Sequence, residues 1–343
     1  MSPVEEFLAL TEELPLPGAG ETARRFDQLW ALAARSPQLG RLAEAHFDAV
    51  AILAEAGRSA APGQRFGVWA AGGPDPATLR RTDAGLRLVG TKHWCSGASI
   101  VSHALVTARQ DTGNAAADDR GVGGSGGERG GGVDTNALVL VDLSAPGVTM
   151  GESDWQSAAF AAIDTRSVAF DLAVDEDSVI GVDDWYLRRR GFWHGAVGVA
   201  ACWAGAISGI VERSVGHIPT DPHAQAHLGA IDAELWNLRA LISAAAAEID
   251  ADHGEQERER RRRALRVRHL VDEAIGSIVA HLTRAAGPRL LAHVGDVHQQ
   301  LAEVELYRRQ CHAERDLEIL GELARPRPPL DPDRSEPAAS AGA

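Results

Sequence analysis

From Phe192 to Val211 the chain reads "FWHGAVGVAACWAGAISGIV", twenty residues without a formal charge. A run of that length and polarity fits two structures: a helix across a bilayer, or a helix buried on all sides inside a protein. Gly205 and Gly209 stand four apart within it, a spacing that lets another helix approach closely. The run is rich in Ala and Gly, carries His194, and has no second such run beside it. Those features favour the buried helix, with the rest of the chain supplying the cover.

The flanking sequence changes period twice. From about Glu21 to Ala56 apolar residues recur at helical spacing, in "RRFDQLWALAARS" and "LGRLAEAHFDAVAILAEAG", and Gly57 with "SAAPGQ" ends the section. From Arg65 to about Ile180 short β-rich runs take over: "RFGVWAA", "LRLVGTKHW", "HALVTAR", "NALVLVDL" and "TRSVAFDLAV". "SIVSHALVTAR" as a whole reads as strand. After Trp185 long Ala/Leu-rich helical runs continue to about Leu323, and a Pro/Ser-rich tail follows that is expected to be disordered. This order predicts an α+β protein whose helices are segregated from its sheet. The expected divisions are a helical section at 1–62, a β section at 63–182, a helical section at 183–325 and the tail at 326–343. Residues 110–136 form a Gly-rich stretch containing Gly121-x-Gly123-x-x-Gly126. That pattern cradles a dinucleotide only between a strand and a helix; here a strand follows, so a flexible hairpin loop is expected.

The 343 residues carry a net charge of −14, which argues against general nucleic-acid binding. Cys95, Cys202 and Cys311 lie far apart with no C-x-x-C pair, which points to a reducing compartment and away from a disulfide framework. The acidic N-terminus has no positively charged leader, so a cytoplasmic protein is expected. "ERERRRRALRVRHL" (Glu257–Leu270) reads as the solvated face or loop end of a helix pair. His223 and His227 share a helix face at a spacing that can hold a metal, but no third ligand accompanies them, and no metal site is expected.

Three stretches together resemble the acyl-CoA dehydrogenase family of flavoproteins. "LRLVGTKHWCSGA" looks like that family's middle-domain motif: a strand, Gly-x-Lys, an aromatic, a hydroxyl residue and a Gly. "VAFDLAVDEDSVIG" is similar to the strand and acidic loop that lead into the C-terminal bundle, and "GFWHGAVGVAACWAGAISGIVERSV" to the bundle's first helix. The resemblance runs in order over about residues 40–323. It implies an N-terminal helical domain, here shortened, a β-barrel-like middle domain and a C-terminal four-helix bundle. It also implies bound FAD, a homodimer or homotetramer, and in some members an electron-transfer partner. On the resemblance, Trp94 lies against the flavin ring and the Ser96 hydroxyl donates to its N5/O4 edge. Trp69, Gly97 and Arg315 complete the expected cofactor contacts. The alternative reading is a core tryptophan at Trp94 and an ordinary turn at Ser96.

Several family motifs are altered. The Thr-Glu-Pro-type loop is replaced by "FGVWAAGGP", with Trp69 and Ala70 in place of the hydroxyl and the acid. The Arg-x-Phe-Gly-type segment becomes "SVGHIPTDPHAQAH", and the Gly-Gly motif keeps only Gly287 in "AAGPRLLAH". Dehydrogenation of an acyl thioester needs a carboxylate to remove the α-proton. The family's usual position for that Glu falls near "LYRRQCHAERDLEILG", at Cys311 or His312, and its alternative position falls at Gly195 or Ala196. The candidates to serve instead are His312, Glu314 and Cys311, with His194 a weaker fourth; Cys311 would be a nucleophile only with a depressed pKa. Three functions follow from the resemblance: an FAD-dependent dehydrogenase of an acyl thioester or a related substrate with an acidic α-C–H, a flavin-dependent monooxygenase with His312 at the flavin, and a non-catalytic scaffold subunit.

Overall fold

The structure is a computed structural model that describes residues 1–111 and 135–325. The Gly121-x-Gly123-x-x-Gly126 pattern, most of the stretch read as a flexible loop and the tail read as disordered lie outside the described residues. Helix α1 (Pro3–Leu8) starts at a capping box, in which Ser2 Oγ accepts from the Glu5 amide and Glu5 accepts from the Ser2 amide. Helices α2 (Thr22–Arg35) and α3 (Pro37–Glu55) are parted at Ser36, whose hydroxyl caps α3 while Pro37 occupies its first turn.

The strands are β1 (Phe66–Trp69), β2 (Thr78–Thr82), β3 (Gly85–Cys95), β4 (His103–Gln110), β5 (Asn136–Asp142), β6 (Val148–Met150), β7 (Arg166–Val174) and β8 (Val179–Gly181). They form one mixed sheet in the order β6-β7-β3-β2-β4-β5-β8, with β1 pairing with β4 off that path. The pairings β1–β4 and β2–β4 are parallel and the others antiparallel. Each β-rich run in the sequence holds a strand. The one expected over "SIVSHALVTAR" begins only at His103, because Gly97 (φ 77°) turns the chain and Val101 bonds back to it.

The second helical section holds α4 (Trp185–Arg188), α5 (Gly191–Ser214), α6 (Pro222–Asp250), α7 (Glu257–His293), α8 (Val297–Arg308) and α9 (Glu314–Ala324). The uncharged run is α5. It is long and apolar enough to cross a membrane, but its sides are covered by α2, α3, α6, α7 and α8. Its two spaced glycines face α2: a Cβ on Gly205 would lie 2.7 Å from Trp30 Cα, and one on Gly209 2.7 Å from Ala34 Cα. The close approach is thus made within the chain. Helix α7 breaks at Gly287 (φ 63°), followed by Pro288.

Glu257–Leu270 does begin α7 directly after the α6–α7 turn, the loop end of a helix pair, but it is not a solvated face: Arg263 and Arg268 are buried. Arg263 pairs with Glu248 at 2.8 Å and Glu255 at 2.5 Å, because the α6–α7 turn folds acids back over it. His223 and His227 both lie on α6, as their spacing implied. His223 is exposed, while His227 meets His281 of α7, Nδ1 to Nδ1, at 2.8 Å.

Candidate active site

A cavity of about 550 Å³ opens where the ends of β1 and β3 meet α3, α5, α7 and α8. Its sheet-side wall is made by an irregularity. The β3–β7 register slips between Lys92 and Cys95, and Trp94 at the slip takes a left-handed backbone, φ 61°. That conformation is costly for a residue with a large side chain and usually persists where surrounding structure enforces it. It leaves the Trp94 indole 64% exposed, with Trp155 edge-on at 6.2 Å between ring centroids. Ser96 follows in the turn. Its carbonyl accepts from Trp69 Nε1 at 3.2 Å, and its hydroxyl lies 3.2 Å from that of Thr165. Lys92 is buried outside the cavity lining, where its ammonium bonds the carbonyl of the lining residue Ala71 and the Thr107 hydroxyl. Burial lowers its pKa to about 8.

The helix-side wall carries charge. On α3, Arg41, Glu44 and Asp48 stand at three- and four-residue spacing and all line the cavity. Asp48 is held by Arg189, at 3.3 Å, which also reaches Glu55 at 3.1 Å. Arg268 lies over the Trp203 ring, 4.6 Å from its centroid, and donates to the carbonyls of Ala196 and Gln310. Glu44 is buried and has one hydrogen bond among the described residues, from Arg41 at 3.4 Å. Burial pushes its carboxyl up to about 7, against the pull of Arg41.

Of the residues singled out in the sequence, Trp69, Trp94, Ser96 and His312 line this one cavity. His312 sits at the rim with its side chain 65% exposed, Nδ1 3.6 Å from Asp316. Cys311, Glu314, Arg315 and Gly97 are outside the lining. Cys311 is buried with Sγ 3.8 Å from Asp316, and burial raises its thiol pKa, the opposite of what a nucleophile needs. Glu314 and Arg315 are exposed at the start of α9. Gly97 supplies a turn, its amide bonded to the Ile163 carbonyl. His194 is buried beside Asp252, at 3.6 Å, outside the cavity, and burial lowers its pKa to about 4. Sequence reasoning missed Glu44, Asp48, Arg189 and Arg268. The available signal was the three- and four-residue spacing of Arg41, Glu44 and Asp48 along one helix.

No family model matches the chain, and no curated protein matches it. Solved structures do. A nitrososynthase from Micromonospora carbonacea var. africana is 19% identical over 94% of this chain and 88% of its own, with a TM-score of 0.74. Dibenzothiophene monooxygenase (TdsC) from Paenibacillus sp. A11-2 is 17% identical over 88% and 82%, TM-score 0.69. XiaF from Streptomyces sp., in complex with FADH2 and glycerol, is 18% identical over 88% and 81%, TM-score 0.69. The fold they share with this chain is that of the acyl-CoA dehydrogenases: helices, a central sheet, then a helical bundle.

Proposed function

We propose that this protein is a flavin-dependent oxidoreductase, and that it works as a monooxygenase on a small substrate. The observation that carries this reading is the exposed Trp94 ring, held in a strained backbone beside the Ser96 hydroxyl at the mouth of the cavity. A flat aromatic surface next to a hydroxyl suits a flavin ring, which needs stacking and a donor at its N5/O4 edge. Thr165, bonded to Ser96, helps to fix that hydroxyl. TdsC has been seen with FMN and with indole, and XiaF with FADH2. FAD is the cofactor the family resemblance implies. The altered Arg-x-Phe and Gly-Gly motifs leave the ring end as the part best supported by this chain's residues, so FMN is the natural comparison.

The bound flavin would supply the redox chemistry. The chain's own part is to orient the flavin and substrate, exclude water and manage protons. Gly195 and Ala196 line the cavity and offer no base. Gln310 and His312 line it on the other side, and Asp316 is already engaged by the His312 amide at 3.0 Å. Oxygenation, with His312 as the imidazole at the rim, fits that set better than removal of a thioester α-proton from either usual family position. Dehydrogenation of an acyl thioester is the competing reading, and Glu44 is the cavity carboxylate that would serve it. A homodimer or homotetramer in the cytoplasm is part of the same proposal.

The test is the visible spectrum of the purified protein with FAD and with FMN. Bound-flavin bands that weaken in Ser96→Ala are expected. Oxygen uptake by the reduced protein supports the monooxygenase, whereas anaerobic bleaching by an acyl-CoA supports the dehydrogenase. A protein that stays colourless with both flavins leaves only a scaffold.

A further inference from the structure

Resting on the reading of the cavity as a substrate site, we infer that Glu44 takes a proton from the substrate, and that Arg268 with Arg41 holds the anion that results. A buried carboxylate is ordinarily tied down by several donors or a close cation. Glu44 has a single long contact to Arg41, and it borders open space. The other charged groups facing it are committed elsewhere: Arg25 donates to the Pro15 and Phe47 carbonyls, both at 3.0 Å, and Asp48 is bound to Arg189. Tyr186, Cys202 and Tyr307 face it from α4, α5 and α8, and burial raises the pKa of all three, which keeps them protonated near neutral pH. Arg268 is the complement. It is a buried guanidinium bonded to two backbone carbonyls, with no carboxylate oxygen within 4.0 Å among the described residues. A buried cation without a paired anion, sharing a cavity with a carboxylate that resists ionising, suits a ligand that arrives with a weakly acidic X–H.

The step balances without a co-reactant. The X–H bond breaks, its proton passes to a Glu44 carboxylate oxygen, and the electron pair stays on X beside the two guanidinium groups. A phenol-type hydroxyl or a ring N–H has the right acidity, and the surrounding Trp69, Trp155, Phe160 and Tyr307 suit a planar ring. Burial already holds the Glu44 carboxyl near neutral pH, so accepting a proton there is not strongly uphill.

The probe is 4-nitrophenol, whose phenolate absorbs visibly and whose phenol does not, so no flavin or turnover is needed. Calorimetry from pH 8 to 9, where the free probe and free Glu44 are both ionised, should show that binding to the wild type takes up about one proton. Over that range its Kd should weaken by nearly tenfold per pH unit, because the complex keeps one proton that free Glu44 has lost. The bound probe should keep its phenolate absorbance. Glu44→Gln should bind with no proton uptake and a flat pH profile, and Arg268→Met should bind about tenfold more weakly with the slope retained. Glu44→Asp, which should keep the slope, covers a Gln variant that fails to fold. Equal pH profiles for wild type and Glu44→Gln overturn the inference; so does bleaching of the bound probe, or absence of saturable binding to the wild type. Flavin reconstitution is measured separately: a chain that takes no flavin yet shows the Glu44-dependent slope keeps this inference and loses the functional reading, and the converse holds.

Discussion

Trp94 is where local energetics and proposed chemistry part company. Its left-handed backbone costs about 1 kcal/mol or more for a residue with a Cβ, and its exposed ring returns little burial. A core tryptophan behaves differently, losing about 3–5 kcal/mol on truncation. Trp94→Gly is therefore expected to leave urea-unfolding stability within about 1 kcal/mol of the wild type, since strain relief and the entropy of a new glycine oppose each other. The same change should weaken flavin binding. A large loss of stability would return Trp94 to the role of a packing residue. The contrast with Trp203 is useful, because that ring is wholly buried under Arg268 and should show the full core penalty when cut to Ala.

At the scale of elements, α5 shows how much the sequence discloses and where it stops. Its uncharged run and paired glycines predict a helix that another backbone approaches, and α2 is that neighbour. Gly209→Ala places a methyl against the Ala34 carbonyl and should cost about 1–3 kcal/mol in chemical unfolding. Gly276, inside α7 with nothing within 4 Å of a new Cβ, is the control: Gly276→Ala should gain about 0.5–1 kcal/mol. Reversal of the two signs would mean that α5 does not lie on α2. The long strands were legible for a related reason, since β3, β4, β5 and β7 alternate or run apolar over seven to eleven residues. "TLRRT", "VTM" and "VIG" were not: the first is mostly polar, and the other two have three residues each, too few to carry a period of their own. The site divided likewise. Trp94 and Ser96 stand two residues apart in a recognisable motif, whereas Glu44 and Arg268 meet only through folding. On α3 Glu44 reads as a surface carboxylate until α5 and α8 pack against that helix.

For the whole molecule, the joints between helices and sheet are the places where pH should act. His46 joins α3 to β1: its Nδ1 accepts the Phe66 amide at 3.3 Å and its ring stacks on Phe66. His194 lies between the loop before α2 and the turn before α7, against Gly18 and Asp252. Burial holds both at about 4, below the ordinary 6.5. The unfolded chain therefore binds more protons than the folded one between pH 6.5 and 4. The stability these neutral rings contribute is complete above 6.5 and is lost as pH falls to 4, by about 1.4 kcal/mol per pH unit for each fully engaged group. Glu44 acts in the opposite sense. With its folded pKa raised from 4.5 to about 7, the folded state holds the extra proton in that window, so its penalty is absent below 4.5 and complete above 7. In the wild type, Glu44 offsets part of the histidine slope between pH 6.5 and 4.5. Chemical unfolding across that interval should consequently be steeper in pH for Glu44→Gln than for the wild type, and flatter when His46 is replaced by Gln. Parallel curves for wild type and Glu44→Gln would mean that the carboxyl titrates at its ordinary value. The cavity would then hold a plain Arg41–Glu44 ion pair in place of a proton acceptor.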